Sequence, residues 1–507
     1  MQRFLLLYLF LSIVGFSSAQ SCLPNGITFG RQAQVDSFPI NYPGCTEIEG
    51  LVVILTDSIY SLDSLYRLEK IAYGLSIDAW FPGMSLLKSL SGLDNLEEVG
   101  GFVSLNSLWQ LADLNGLNGL RSMGGSLGIT YCDSLYDLSG LDSLKRTGGL
   151  SIGSNSRLSD LTALSSLESV VGTVKFYHNQ MLEDLTGIDQ INPDSIWNLL
   201  IVENPALEYC HVTSICNYLQ SPKGVVDIYR NAPGCSHPPD IAAQCGFTMS
   251  CLPYGNYYLT SQEEIDSFAI HYPGCTELYG NLYLESYDIN DLSGLSHIKK
   301  VDSNFMIRGN TYLTDLSGLE SLRYVNVFNM RYTNLQSLSG VDSLEIVNYT
   351  ILLFENDLLT DITALSGISP DSLGRFNITN NDLLSECDIQ PICDWIQMNP
   401  SVVVYVDNNA VGCASVEEIE DACDLKVNED FTTQIRIYPN PCNQIAYVSG
   451  IRTNINGTIK VINQLGQPMI HKKLLSNSLD ISDLPKGLYL VAIITANNCY
   501  KQQLIIN

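Results

Sequence analysis

A chain of 507 residues is too long for a single core, so two to four domains are expected. It carries 54 acidic residues against 26 lysines and arginines, a formal net charge of −28. Such a chain repels phosphate backbones and anionic membrane surfaces, which argues against nucleic acid as a partner. The acidity favours solubility outside the cell over cation binding, because no calcium-loop motif is present. We expect neither a metal nor a cofactor.

The first 19 residues have the pattern of a secretory signal peptide. Arg3 supplies a positive charge, residues 4–14 are apolar apart from Ser12, and small residues lead to a cleavage point after Ala19. No later stretch reaches the ~18 apolar residues that span a bilayer. The sequence therefore predicts an exported mature chain without a transmembrane segment, which passes through the periplasm, where disulfides persist.

Two sets of six cysteines indicate a duplication. Their successive gaps are 23, 165, 6, 19 and 10 residues in the first set and 24, 112, 6, 20 and 10 in the second. The flanking text also repeats, since SCLPNG from Ser21 matches SCLPYG from Ser250. We call residues 20–246 the first module and residues 247–424 the second module.

Six cysteines in an exported module predict three disulfides, and spacing alone allows fifteen pairings. In each module the first two cysteines lie together before the central region, so they are paired with each other. Among the last four we favour first with third and second with fourth. The predicted pairs are Cys22 with Cys45, Cys210 with Cys235, Cys216 with Cys245, Cys251 with Cys275, Cys387 with Cys413, and Cys393 with Cys423.

A short repeat, L-x-x-L-[ST]-[GA]-L-x-x-L, fills the centre of both modules, with six copies in the first and four in the second. Each copy is predicted as one coil: a short strand of alternating apolar residues, a tight turn, and a helical turn. A coil has one apolar side that it cannot bury alone. Stacked coils give parallel strands, a continuous core and two ends, and the cysteine clusters stand where end covers are needed.

A set of amides precedes the repeat leucines by three residues. A buried amide there can bond the unpaired backbone of its turn, and leucine-rich repeats accept asparagine or cysteine at this place. We therefore interpret Cys132, which occupies it in one coil, as a buried structural thiol. The predicted buried ladder is Cys132, Asn155, Asn179, Asn204, Asn310, Asn356 and Asn380.

Both modules have a cysteine-to-glycine entry, from Cys45 to Gly50 and from Cys275 to Gly280, followed by the L-x-x-L-x-G-L cores. In these features each module resembles a receptor L domain. The resemblance implies right-handed leucine-rich β-solenoids that bind other molecules on their surface. It identifies no ligand, and the ligand-binding residues are unknown.

Residues 425–434 read as a polar linker, and residues 435–507 as a separate domain. Short alternating strands between Asn, Gly and Pro turns predict a small antiparallel β-sandwich. The predicted fold class is therefore mainly β with short helical turns. Cys442 and Cys499 form the remaining pair of cysteines, and a bridge between them and two free thiols are the alternatives.

This last domain contains a Y-P-N-P motif, an N-x-x-G-Q turn and an L-P-x-G-x-Y motif. Their distinctive residues are Tyr438, Pro439, Asn440, Pro441, Gly466, Gly487 and Tyr489. In these motifs the domain resembles the C-terminal sorting domain of the type IX secretion system. The resemblance implies passage across the outer membrane by the type IX secretion machinery, with later release or surface anchoring.

The sequence predicts no catalytic residue. Residues 124–128 match the G-x-S-x-G nucleophile elbow by letter, but the glycines precede a repeat strand rather than a strand-to-helix turn. The aspartates of L-x-D-L recur with the repeat, which indicates turns rather than carboxylate pairs.

We therefore expect a cell-surface or secreted binding and adhesion protein with a protein or glycan ligand. Candidate contact residues are exposed aromatics. The alternatives are a structural or shielding surface protein without a discrete ligand and, more remotely, a surface hydrolase. The aromatic candidates are Trp109, Tyr131, Tyr177, Tyr283, Tyr332 and Tyr349.

Overall fold

The computed structural model describes residues 20–80, 84–399, 404–430, 436–438, 440–442, 444–449, 458–464, 467–473, 478–494 and 499–506. The predicted signal peptide lies outside these residues, as do Pro439, Gly466 and residues 431–434 of the predicted linker. The contacts divide the chain into two units, Met1–Glu420 and Asp421–Asn507.

The first module consists of short strands separated by turns, and its described α-helices lie at its two ends. The helices are α1 (Gln32–Asp36), α2 (Phe38–Asn41), α3 (Thr213–Gln220) and α4 (Pro238–Gln244). The strands are β1 (Gln20–Cys22), β2 (Ile27–Phe29), β3 (Cys45–Ile48), β4 (Val52–Leu55), β5 (Lys70–Ile71), β6 (Leu75–Asp78), β7 (Glu98–Val99), β8 (Val103–Asn106), β9 (Ser122–Met123), β10 (Ser126–Thr130), β11 (Arg146–Thr147), β12 (Gly149–Gly153), β13 (Ser169–Val170), β14 (Gly172–Tyr177), β15 (Ile196–Val202) and β16 (Val226–Tyr229).

The second module repeats this plan with longer strands. Its helices are α5 (Gln262–Asp266), α6 (Phe268–His271), α7 (Gln390–Met398) and α8 (Val416–Asp430). Its strands are β17 (Tyr257–Leu259), β18 (Glu277–Leu278), β19 (Leu282–Glu285), β20 (Lys300–Arg308), β21 (Tyr324–Arg331), β22 (Ile346–Phe354), β23 (Arg375–Thr379) and β24 (Tyr405–Asp407). Helix α8 runs to Asp430, so the first residues of the predicted linker are helical.

Some repeats also contain one or two short 3-10 helices. These helices are Asp63–Leu65, Thr162–Leu164, Thr186–Ile188, Pro193–Ser195, Ser293–Leu295, Thr363–Gly367 and Pro370–Ser372.

The strands of successive coils lie side by side in parallel sheets. In the first module a nine-stranded sheet has the order β16-β15-β14-β12-β10-β8-β6-β4-β2, and a seven-stranded sheet has the order β1-β3-β5-β7-β9-β11-β13. In the second module one sheet has the order β17-β19-β20-β21-β22-β23-β24, and β18 pairs with β20. The prediction of a mainly β protein is confirmed, and the sheets of both modules are parallel.

The repeat leucines form the core between the coils. In the copy that starts at Leu87, the leucines at 87, 90, 93 and 96 are all fully buried.

The glycine inside the motif is required because there is no room for a side chain between neighbouring coils. Gly116 has a φ of +114°, and a β-carbon there would lie 2.2 Å from the carbonyl oxygen of Leu90 in the preceding coil. A side chain at this point would push two coils apart.

The C-terminal unit contains two antiparallel sheets, as predicted. Their orders are β25-β26-β29 and β28-β27-β30-β31, and buried side chains of both sheets form one cluster. The strands are β25 (Arg436–Tyr438), β26 (Ile445–Ser449), β27 (Thr458–Ile462), β28 (Pro468–Lys473), β29 (Ser478–Asp480), β30 (Gly487–Ile494) and β31 (Cys499–Ile506).

Candidate binding face and its supports

The ladder amides connect each coil to the next. The Asn179 side-chain nitrogen donates to the carbonyl oxygen of Ile152 at 3.0 Å and to the side-chain oxygen of Asn204 at 3.1 Å. Its side-chain oxygen accepts from the backbone nitrogen of Asn155 at 3.3 Å. Buried amides are costly unless bonded in this way. The fully buried ladder positions are Cys132, Asn155, Asn179, Asn204, Asn310 and Asn356.

One ladder prediction is wrong by a single residue. Asn381, not Asn380, is fully buried and accepts a hydrogen bond from the Asn356 side chain at 3.1 Å. Two leucines follow in tandem, and the structure buries Leu384 while Leu383 stays 51% exposed. Asn380 lies three residues before the exposed leucine, and Asn381 lies three residues before the buried one.

The ladder also continues into the end covers, beyond the positions predicted from the sequence. The side chain of Asn204 donates to that of Asn231 at 3.0 Å, and Asn381 donates to Asn409 at 3.0 Å. Each of these last asparagines also bonds the carbonyl of the cysteine four residues later. That shared offset before Cys235 and Cys413 is the sequence signal that could have revealed them.

The residue just before a ladder position has left-handed backbone in nearly every coil. Such a φ is uncommon for residues other than glycine. Because the turn is fixed by the amide behind it, the side chain of the left-handed residue is held beside the end of its strand. The residues with this geometry are Tyr131, Ser154, His178, Glu203, Arg230, Tyr332, Glu355, Asn380 and Asn408, at φ of 53° to 57°.

Cys132 is a buried thiol within the ladder. Its backbone nitrogen bonds the Asn155 side chain at 2.9 Å, and its Sγ lies 3.5 Å from the carbonyl oxygen of Thr130. Burial raises the pKa of the Cys132 thiol to about 12. The thiolate is therefore scarce near neutral pH, which does not suit a nucleophile.

Disulfides close both ends of each module. The structure contains five of the expected pairs: Cys22 with Cys45, Cys210 with Cys235, Cys216 with Cys245, Cys251 with Cys275, and Cys387 with Cys413. Cys393 and Cys423 are also disulfide-bonded.

Alternation along the parallel strands creates an exposed sheet face. On β16, Val226 and Ile228 are buried while Asp227 and Tyr229 point outward. We use the name sheet face for the outward residues of the nine-stranded sheet of the first module and of the sheet from β17 to β24 in the second module. Its character changes within the first module, where the row that runs through Ser104, Gly128 and Ser151 continues towards the junction with the larger Lys175, Leu200 and Asp227.

Three tyrosines stack where the two modules meet. The rings of Tyr229 and Tyr258 lie 3.6 Å apart and nearly parallel, and the rings of Tyr258 and Tyr283 lie 4.8 Å apart. We call these three residues the tyrosine run. Burial raises the pKa of all three phenols, so they stay protonated near neutral pH and can donate hydrogen bonds.

A chain of ion pairs runs beside the tyrosine run and crosses the junction. Arg230 bonds Glu203 in the first module and Glu285 in the second, each at 3.0 Å. Glu203 also contacts His178 at 3.0 Å, and Glu285 lies 3.8 Å from Arg308. The charges are partly exposed, so their main effect is to fix the positions of these side chains.

Of the aromatic candidates, four lie on or beside the sheet face. Tyr177 and Tyr283 point outward from strands, and Tyr131 and Tyr332 occupy left-handed turns at strand ends. Trp109 lies in the turn after β8, and the ring of Tyr349 in β22 is contacted by Arg375. Tyr229 and Tyr258 were missed because they lie outside the recognisable repeat copies.

The repeated aspartates form turns. Asp184 accepts from the backbone nitrogen of Thr186 at 2.9 Å, and Asp361 accepts from that of Thr363 at 2.8 Å. The same contact to the residue two places later occurs at Asp113, Asp137, Asp160 and Asp315. These carboxylates are spread along the coils rather than gathered in one cleft.

The other residues with catalytic potential are Ser126, the potential metal ligands and the histidines. Ser126 of the G-x-S-x-G match opens the repeat strand β10. Among the described residues, no three His, Cys, Asp or Glu side chains are placed to hold a metal ion. His237 lies next to Asp240 at 3.4 Å, and its ring centre is 4.9 Å from that of His271.

The sorting-domain residues that are described lie on the strands and turns of the C-terminal unit. Asn440, which precedes Pro441, accepts from the backbone of Ile505 at 2.8 Å. Gly487 begins β30, and two residues later the buried Tyr489 donates its hydroxyl to the carbonyl of Pro485 at 2.7 Å. Tyr438 in β25 is 52% exposed.

The bridge considered between Cys442 and Cys499 is absent, because Cys442 is a free, buried thiol. Cys442 pairs with Ile506 at the end of β31, whereas Cys499 is the first residue of that strand. At ~3.3 Å per residue, the two ends of the strand lie about 23 Å apart. Such a distance excludes a disulfide.

Two family models match parts of this chain. Residues 274–390 match the Receptor L domain, and residues 436–507 match the Secretion system C-terminal sorting domain. Both predicted resemblances are thereby confirmed, the first of them directly for the second module. The sorting domain indicates export to the cell surface or beyond through the type IX secretion system.

A curated relative is Beta-agarase D of Zobellia galactanivorans, which is 25% identical over 140 residues. The match covers 27% of this chain and 26% of the agarase, so the chain spans about a quarter of that relative's length. Among the described residues, every helix is too short or too polar to cross a lipid bilayer.

Proposed function

We propose that this is an exported binding protein whose two modules are right-handed solenoids that present the sheet face to a protein or glycan outside the cell. One observation carries the proposal: a receptor L domain and a sorting domain occur in the same chain. The sorting domain accounts for delivery, and the stacked coils account for a long regular surface. In this proposal the signal peptide ends at Ala19.

Binding is proposed rather than catalysis because the polar groups of the coils are already engaged. The repeated aspartates bond their own turns, the ladder amides bond backbone, and the arginines beside the tyrosine run are paired with glutamates. A hydrolase remains the second candidate, favoured by the agarase match alone.

The export half of the proposal is tested by deleting residues 436–507 in the producing bacterium. Loss of the protein from the surface and medium, with retention inside the cell, supports it. Normal export of the deleted form contradicts it. A sorting-domain variant with Tyr489→Ala separates the motif from the mere length of the tail.

The binding half is tested with the purified full chain on glycan arrays and on arrays of surface proteins. Saturable binding to one class supports the proposal, and a complete lack of binding supports the alternative of a structural or shielding surface protein. Release of reducing ends from agarose or another polysaccharide would instead make the chain an enzyme.

A further inference from the structure

We propose that the ligand site lies across the module junction, on the tyrosine run and the polar groups beside it, and that its ligand is a neutral polysaccharide. This proposal rests on the proposed binding function and names its site and ligand class. It starts from the observation that Tyr229 comes from the first module, whereas Tyr258 and Tyr283 come from the second.

The junction joins the two modules into one continuous face. The backbone nitrogen of Asn256 donates to the carbonyl of Val226 at 3.2 Å, and its side chain donates to Asp227 at 2.6 Å. In the segment that connects the modules, Met249 and Leu252 are buried. A linear ligand longer than one module therefore meets a single surface rather than two separate ones.

Disulfides hold the connecting segment on both sides. Cys245 is tied back to Cys216, and Cys251 is tied forward to Cys275. The Tyr257 hydroxyl accepts from the backbone nitrogen of Leu252 at 2.9 Å. A segment held at both ends loses little freedom when ligand binds, so the face is preorganised.

The tyrosine run offers what a sugar chain requires. Tyrosine combines an apolar ring with a hydroxyl that both donates and accepts hydrogen bonds. The stacked rings are held at 3.6 and 4.8 Å, and their strands lie next to each other. Asp227 beside them faces outward from β16, and its Oδ2, the oxygen that does not accept from Asn256, adds an acceptor for sugar hydroxyls.

The charges around the run favour a neutral ligand. The whole chain carries −28, which repels polyanions. The cationic groups on the face are already engaged: Arg230 with Glu203 and Glu285, and Lys175 with the ring of Tyr177 at 4.1 Å. A sulfated polymer would have to break these contacts, whereas a hydroxyl-rich chain can bond to them as they stand.

The test is a titration of the purified full chain with soluble neutral polysaccharides, namely a galactan, a β-glucan and a mannan, with a sulfated galactan as the charged comparison. We expect one neutral polymer to bind, and its affinity to change less than about threefold between about 50 and 500 mM salt. Preference for the sulfated polymer, or a steep loss of affinity with salt, overturns the proposed ligand class.

The site is tested with the triple variant Tyr229→Ala, Tyr258→Ala, Tyr283→Ala, which should lose at least about tenfold in affinity. The matched control is Tyr60→Ala, Tyr136→Ala, Tyr312→Ala, three exposed tyrosines away from the run, which should stay within about twofold. Equal losses in both variants place the site elsewhere.

A Tyr283→Phe variant covers the case in which the triple variant does not fold, because it keeps the ring stack and removes only a hydroxyl. We expect a loss of about threefold or more without a change in melting temperature. No loss overturns the role of the hydroxyl at this site.

If a surface protein binds while the three neutral polymers fail, the ligand class is wrong and the binding function stands. If arrays and polymers all fail, the binding function itself is contradicted.

Discussion

In the middle of the first module the outward row of the parallel sheet carries Ser104, Gly128 and Ser151, whereas the corresponding row of the second module carries Met306 and the half-exposed Leu352. Behind these rows the two modules use the same devices: repeat leucines, ladder amides, aspartate turns and cysteine-closed ends. The comparison separates the two tasks of a repeat. Buried positions set the spacing of the coils, and outward positions are free to specialise.

The largest expected effect is on the reactivity of a thiol in the ladder. It is measured at one position in each module where another residue replaces the ladder asparagine. Cys132 fills it in the first module and Thr333 in the second. Because burial raises the pKa of Cys132 to about 12, its thiolate at pH 8 should be about a thousandfold scarcer than that of an ordinary cysteine. We expect alkylation of Cys132 to be slower by at least this factor in the folded chain than in urea, as measured by peptide mass spectrometry.

The same measurement on Thr333→Cys sharpens the comparison, since Thr333 is only 3% exposed. Equal protection of both thiols from alkylation means that the ladder excludes the reagent equally well in the two modules. Alkylation of either thiol within tenfold of its unfolded rate contradicts this interpretation of the ladder.

The next largest effect should come from the end covers. Replacing Cys210 and Cys235 by alanine opens a loop with a sequence separation of 25, and replacing Cys387 and Cys413 opens one of 26. Chain entropy gives a loss of about 3.5 kcal/mol in either case. Urea unfolding of the two double variants is the measurement. A difference above about 1.5 kcal/mol between them would show that the two covers are not equivalent.

Ladder amides should matter somewhat less than the disulfides. Asn179→Ala removes the partner of the Ile152 carbonyl, and Asn356→Ala removes that of the Met330 carbonyl. Unsatisfied buried groups cost ~1–3 kcal/mol each, so we expect a loss of about 2–3 kcal/mol in both modules. The control Asn115→Ala, at an exposed turn, should change stability by less than about 0.5 kcal/mol. Tolerance of Asn179→Ala would contradict the structural role of the ladder.

The smallest effect should come from the aspartate turns. Asp184→Ala and Asp361→Ala each remove a bond to the backbone two residues later, at a cost of about 1 kcal/mol. The hydroxyl of Thr363 lowers the pKa of Asp361. Its stabilisation is therefore full at neutral pH and lost as the pH falls through that lowered pKa. Denaturant unfolding of Asp361→Ala and the parent chain should converge as the pH falls below the lowered pKa of Asp361, and a constant difference would exclude this origin.

The sequence predicted the features that recur with the coil period, because periodic burial leaves a periodic pattern. It placed the ladder at Asn155 and Asn179, but it erred at Asn380, where the tandem Leu383 and Leu384 gave two equally good registers. The number of cysteines also left open a bridge between Cys442 and Cys499, because a count does not show at which end of a strand a cysteine lies. Which residues face each other on two strands depends on the register of their pairing, and the register is visible only in the structure.

The tyrosine run was harder to predict for a different reason. Tyr229 and Tyr258 are 29 residues apart, in the last strand of one module and the first strand of the next. The repeat motif occurs at neither place, so nothing in the pattern shows that the strands are neighbours. Only the way in which the second module continues the stack brings these rings together.

That continuation has a consequence for the solubility of the isolated parts. Strand β16 ends its sheet and β17 begins the next, and the bond from Asn256 to Val226 connects them. A chain cut between the modules would leave the outer edge of β16 without this cover. Uncovered strand edges are templates for edge-to-edge aggregation. Each module thus covers a strand edge of the other and so prevents self-association there. Truncated forms of this protein should therefore keep the junction intact.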